Sequence, residues 1–289
     1  MPDTLAVWEQ GLEINRAIDS REEGGSYLFQ SLCNLAAAHI HYGRLDDAEN
    51  YLREAERTNF RLNDEDHGGR ITGYMALVKH LRGNLPQADA LYVTALRQLD
   101  RRKKWNPRAK SIFSRHRADL KIKLGDFECA RACIEMSRGL AEEGNFPELA
   151  AAARMSLGHW FRSRRKYNEA TREYNFALRE AKRIGMRRLE CEVISEFARL
   201  ALDLGDSHIA RQRAVESLRI ANELVLGLKQ THDLVVLGCA TIEARQHQLG
   251  IAYLKHAKRL ADRQGYWLRS HEAEEQLHRF GESASDVES

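Results

Sequence analysis

Proline is scarce in this chain of 289 residues: four, at Pro2, Pro86, Pro107 and Pro147. Few breakers and abundant Ala, Leu, Arg and Glu favour long helices. Valine and isoleucine never fall into alternating runs, so strands have little support. No stretch of about 18 uncharged apolar residues exists to span a bilayer. The start, MPDTLAVWEQ, lacks the basic-then-apolar order of a secretory signal. The five cysteines (Cys33, Cys129, Cys133, Cys191, Cys239) are dispersed and odd in number. Reduced thiols, and a cytoplasmic location by default, are the expectation. With 43% hydrophobic and 30% charged residues, the chain has enough apolar surface to fold.

Chemistry-bearing motifs are also missing. The glycines are single, so no phosphate-cradling loop is present. There is no HExxH pair, zinc-spaced cysteine set or nucleophile elbow. Cys129 and Cys133, one helical turn apart, read as thiols in or near a core. His271 and His278 read as a solvated helix face, and His39 and His41 cannot point the same way on a helix. No catalytic residue, metal or cofactor is implied, and the expectation is a protein that is not an enzyme.

What is present is a repeat. A small residue opening an apolar helix falls at Ala48, Ala88, Ala130, Ala170, Ala210 and Gly250, spacings of 40, 42, 40, 40 and 40. Each is preceded by a helix carrying apolar or small residues at i, i+3, i+4 and i+7, as in Leu32, Leu35, Ala36 and His39. Small side chains on that face let paired helices approach closely. Gly43, Gly125 and Gly205 stand where a left-handed residue ends the first helix, and Pro86 stands where a second helix begins.

These residues resemble the tetratricopeptide repeat superfamily over roughly residues 28–265. The period exceeds that family's usual 34 and is similar to the longer variant in sensor arms of signalling ATPases and their regulators. The resemblance implies an all-α, right-handed superhelical solenoid of antiparallel helix pairs. One solenoid is expected over 1–280. It comprises an N-terminal helix at 1–24, hairpins at 25–64, 65–106, 107–146, 147–186, 187–226 and 227–265, and a capping helix at 266–280. A disordered tail is expected at 281–289. In the first helix Leu5, Trp8, Leu12 and Ile18 are expected to face inward. That helix is either a cap or part of a longer array. The polar segment WLRSHEAEEQLHRFG is expected to be a solubilising end cap.

In such a solenoid the first helix of each hairpin lines the concave side. Reading the positions opposite the packing face gives the candidate partner-binding residues Arg70, His80, Arg115, Asp119, Lys123, His159, Arg162 and Arg199. The family's asparagine and lysine clamp for peptide C-termini is not reproduced. Basic charge is concentrated centrally: net +9 from Arg97 to Leu124 and net +7 from Arg162 to Arg188, in a chain of +3. Three readings follow. The plainest is a solvated face balanced by local acids. The functional one is a protein scaffold or sensor arm binding a partner protein or an acidic segment on an open, concave inner wall, with arginine gripping carboxylates. The alternative is a nucleic-acid accessory factor using the two basic stretches, for which Trp105 beside Arg101, Arg102, Lys103 and Lys104 is the one aromatic interleaved with cations. On the scaffold reading, Arg115 and Arg162 are replaceable by alanine with little change in melting temperature.

Overall fold

The computed structural model describes residues 2–19, 25–62, 65–100 and 106–281. Trp105, its basic neighbours and the tail beyond residue 281 lie outside them. The described residues form fourteen α-helices and no strand: α1(Pro2–Asp19), α2(Gly25–His41), α3(Leu45–Leu62), α4(Glu65–Leu81), α5(Leu85–Asp100), α6(Pro107–Lys123), α7(Phe127–Glu143), α8(Pro147–Ser163), α9(Tyr167–Arg183), α10(Arg187–Asp203), α11(Ser207–Glu223), α12(Gly227–Glu243), α13(His247–Gln264) and α14(Trp267–Arg279). Six antiparallel hairpins, from α2–α3 to α12–α13, stack in chain order. No described helix is long and apolar enough to cross a membrane.

The small residues sit where the helices press together. Ala48, Ala88, Ala130, Ala170 and Ala210 are fully buried, as are Ala36, Ala76, Ala118 and Ala198 on the facing helices. The first helix of each hairpin ends in a left-handed residue: Gly43, Gly83, Gly125 and Gly205 have φ of 75, 77, 74 and 76°. Arg165 and Arg245 serve the same junction with φ of 57 and 66°, at the cost a side chain incurs there. Asp126 and Asp206 then cap the following helices, accepting from the backbone N–H of Cys129 and Ile209, which offsets donors the helix leaves unpaired.

In α1 only Leu12 is buried as expected; Trp8 and Ile18 remain 45% and 41% exposed, because α1 packs chiefly against α2. The inner wall is likewise not open. α12 packs on α2, and α14 packs on α4, so the curved rod meets itself and forms a ring. Its seam is apolar: Ile40, Leu77 and Leu81 share one cluster with Leu228, Ala261, Tyr266 and Leu268. A smooth superhelix accumulates a fixed rotation per hairpin, and six long hairpins bring the ends together.

The closest approach is at Gly227, where an added Cβ would lie 2.3 Å from the carbonyl oxygen of Tyr42. That oxygen is backbone and cannot swing aside. Two residues earlier Val225 holds φ of 57°, a strained value for a β-branched residue, so the seam adjoins a strained turn. Gly227→Val is expected to cost about 1–3 kcal/mol by overpacking and to enlarge the radius of gyration in small-angle scattering. An unchanged melting curve and radius would show that α12 does not depend on this contact.

A candidate ligand cavity inside the ring

The ring encloses a chamber of about 220 Å³. Two lobes adjoin it, of about 120 Å³ toward Tyr74 and Ile112 and about 300 Å³ toward Leu5, Trp8 and Leu224. All three share His41 and Arg188, so they form one branched cavity. The larger lobe is the apolar one, the usual character of a ligand site, while polar groups are confined to a few positions.

Seven of the eight candidate residues line the chamber: His80 on α4, Arg115, Asp119 and Lys123 on α6, His159 and Arg162 on α8, and Arg199 on α10. Arg70 does not. It donates to Gln30 at 2.6 Å and lies over the Phe29 ring at 5.2 Å, on the wall of the first two hairpins. The structure adds Arg188, Glu192, Glu196, Lys229, His232 and Arg269 to the lining. Arg188 is one helical turn before Glu192, and Lys229 and Arg269 stand forty residues apart in equivalent register, a signal that strip positions alone passed over. Arg269 also changes the role of α14. Arg269, Ser270, Ala273 and Leu277 are buried, so this helix is a wall of the cavity as well as a cap.

Cations dominate the lining. Arg115, Lys123, Arg162, Arg188, Arg199, Lys229 and Arg269 face three carboxylates, Asp119, Glu192 and Glu196. Several are held from within the wall. Arg162 lies 2.7 Å from Asp203 and 3.8 Å from Glu196; Arg199 and Arg269 both pair with Glu272. Arg115 lies 3.3 Å from Asp119, which also accepts from Ser156 at 3.0 Å. Cations still outnumber carboxylates when Asp203, Glu272 and the buried Asp233 are counted. Lys123 and Lys229 line the chamber with no ion pair to any described residue.

These charges set the titration of their neighbours. Burial works against ionised Glu192 and Glu196, yet the former is held down to about 2 by Arg188 and Lys229 and the latter by His159 and Arg162. Burial and Arg269 lower the Lys123 ammonium to about 8, and burial with Arg269 and Arg162 lowers Arg199 to about 10. Burial, with Arg188 beside His41 and Lys123 beside His80, lowers these imidazoles to about 3 and 4. His116 and His232 are pushed well below their ordinary value by burial first and then by arginine and lysine neighbours.

One polar cluster resembles a nucleophile triad. Ser195 lies 2.6 Å from His232 Nδ1 and 2.5 Å from Asp233. Arg199 lies 3.1 Å from His232 Nε2. Arginine can only donate, so Nε2 accepts and the imidazole proton is on Nδ1. The order is then Arg199 to His232 to Ser195 to Asp233, each donating to the next. The serine proton is directed at the carboxylate instead of a basic nitrogen, and Ser195 is fully buried. Such an arrangement ties α10 to α12 and leaves no accessible nucleophile. Among the described residues no group of three or more His, Cys, Asp or Glu is placed to hold a metal ion.

The basic stretch from Arg97 to Leu124 is less available to phosphates than its charge suggests. Arg117 and Lys121 both pair with Asp89, at 2.8 Å each. Arg108 pairs with Glu148 at 2.6 Å, Lys110 pairs with Asp100, and Arg115 and Lys123 turn into the cavity.

Neither a family model nor a curated protein matches the sequence. Solved structures do match in fold. The quorum sensor NprR bound to its cognate peptide NprX superposes with a TM-score of 0.70 at 11% identity, over 99% of this chain and 86% of that one. A Rap protein complexed with Competence and Sporulation Factor gives 0.64 at 13% identity, over 96% and 80%. A signal-transduction ATPase with a tetratricopeptide repeat sensor, from Pyrococcus horikoshii, gives 0.59 at 14% identity, over 93% of this chain and 42% of the other. The fold is a tetratricopeptide-like helical solenoid.

Proposed function

We propose that this chain is a non-catalytic regulatory solenoid that takes a short acidic peptide segment into its central cavity. The observation that carries the reading is the enclosed chamber with seven lining cations against three carboxylates. A folded partner or a long helix does not fit a ring closed at α2–α12 and α4–α14; a short extended segment does. The apolar lobe beside Trp8 and Leu224 accommodates an aliphatic or aromatic side chain of the same ligand. The likeness to NprR and Rap, each solved with a peptide or factor bound, supports the class of ligand. A prearranged wall held by neighbouring hairpins needs little reordering on binding.

Lys229 is the residue through which to test it, because it faces the chamber without an ion pair of its own. Burial opposes its charge, yet Glu196, Glu192 and Asp233 hold its ammonium above the ordinary lysine value. Fluorescence anisotropy with a labelled oligoglutamate peptide should show binding to the wild type, at least tenfold weaker to Lys229→Ala, a loss on the order of 1.4 kcal/mol. Binding of an oligolysine peptide as tight as that of oligoglutamate, or indifference to the substitution, would refute the reading. Gel retardation of a single-stranded oligonucleotide with no oligoglutamate binding would favour nucleic acid instead.

A further inference from the structure

The cations of the chamber are not evenly matched to their acids, and the mismatch is local. Lys123 on α6, Arg199 on α10 and Arg269 on α14 all line the chamber, near enough for both arginines to act on the Lys123 ammonium, and so mark one wall. A single carboxylate, Glu272, serves both Arg199 and Arg269. Lys123 lines the same wall with no ion pair to a described residue. Arg269 is 6% exposed, and its Nε has no hydrogen-bond partner. Two polar neighbours remain: His232, which already accepts from Arg199 through Nε2, and Tyr266, whose ring lies 5.7 Å from the Arg269 guanidinium and whose hydroxyl is drawn toward ionisation, against burial, by Arg269 and Lys123.

We infer that this wall is an oxyanion site, in which a carboxylate or phosphate group of the ligand is held jointly by Lys123, Arg199 and Arg269. The inference rests on the cavity being a binding site, and it adds the group recognised and the place. Planar guanidinium groups and an ammonium around one oxyanion give the charge-assisted hydrogen bonds that are strongest away from bulk water. Burial first, and the crowding of cations second, lowers the affinity of Lys123 and Arg199 for their own protons, and an anion arriving here would relieve the second of these. The three residues come from helices on either side of the α4–α14 seam, so an anion that gathers them also draws α14 toward α6. Binding and ring closure are therefore coupled, since a ligand that prefers the closed ring shifts the population toward it.

The test is a melting titration with inorganic phosphate and, in parallel, succinate, at constant ionic strength maintained with chloride. For the wild type a saturable rise of roughly 5 °C is expected near a hundredfold excess over half-saturation. Lys123→Gln should lose most of that rise, whereas Arg70→Gln, outside the cavity, should keep it. A rise with either dianion supports the site, and the larger rise identifies phosphate or carboxylate as the better anchor. No rise, or an equal rise in Lys123→Gln, which marks a bulk salt effect, overturns the inference. If it is overturned while Lys229→Ala still weakens oligoglutamate binding, the cavity reading stands without this anchor. If both experiments fail, the cavity is not the ligand site.

Discussion

Between pH 7 and pH 5 the protein is expected to lose several kcal/mol of stability, and histidines are the cause. His41 and His80 are lowered to about 3 and 4, and His116 and His232 lie well below their ordinary value. In each case burial is the leading cause. A histidine that resists protonation in the fold but titrates near 6.5 when unfolded gives the unfolded chain the greater proton uptake below that pH. Stability therefore falls as pH falls through 6.5 and goes on falling until the folded value is reached. His80, 5% exposed and lowered to about 4, alone accounts for roughly 2 kcal/mol between pH 7 and 5, and His232, 4% exposed, works in the same direction. His41 and His116 are only partly buried where they line the chamber and add a smaller share.

Asp233 works in the opposite direction. Burial raises it to about 6, so the fold gains protons there between about 6 and 3.8 and recovers about 3 kcal/mol over that window, of which about 1 kcal/mol falls above pH 5. Glu192 and Glu196, held near 2, contribute stability above the unfolded carboxylate range and lose it only below about pH 4.5. Urea midpoints measured at pH 7, 6 and 5 should decline steadily. A flat profile down to pH 4.5 would mean that the imidazoles are hydrated in the fold.

Arg162→Ala is expected to cost about 3–5 kcal/mol, the range for removing one partner of a buried ion pair. This reverses the expectation that Arg162 is replaceable without loss of stability. Its side chain is only 11% exposed and is shared between Asp203 and Glu196. Truncation leaves Glu196 in the wall without its nearest guanidinium, with His159, Lys229 and Arg199 as its remaining compensating neighbours. Arg162→Met with Asp203→Leu should recover part of the loss, because apolar replacement of both partners removes the stranded charge. Equilibrium urea unfolding checks both variants, and a loss below about 1 kcal/mol for Arg162→Ala would place this guanidinium in water. The cavity thus contains two kinds of cation: those like Arg162 that are ion-paired into the wall, and those like Lys123 and Lys229 that sense carboxylates without a direct ion pair to a described residue.

Helix pairing was legible in the sequence because it is local. Ala36 and Ala48, or Ala198 and Ala210, lie within one hairpin, and their smallness states which faces touch. The strip of residues opposite that face was legible for the middle hairpins, where Arg115, Asp119, Lys123, His159 and Arg162 do meet. Arg70 shares α4 with the lining His80 but stands about three turns before it, where the wall faces Gln30 and Phe29. The closure of the ring was not legible. It depends on a small rotation between successive hairpins summed over all six, and no window of residues contains that sum. For the same reason Arg269 looked like part of a polar cap, since nothing within α14 announces α4 as its neighbour. Leu5, Trp8 and Ile18 share a periodic pattern with Leu12, but α1 lacks a second helix to cover them.

An array whose ends touch no longer behaves as a sum of nearest-neighbour terms. In an open stack each hairpin can fray from the edge inward, and stability grows by increments. Here the Tyr42–Gly227 contact and the Leu81–Leu268 cluster make the last helices support the first. Loosening either flank removes packing from the other, so melting should approach a single all-or-none step.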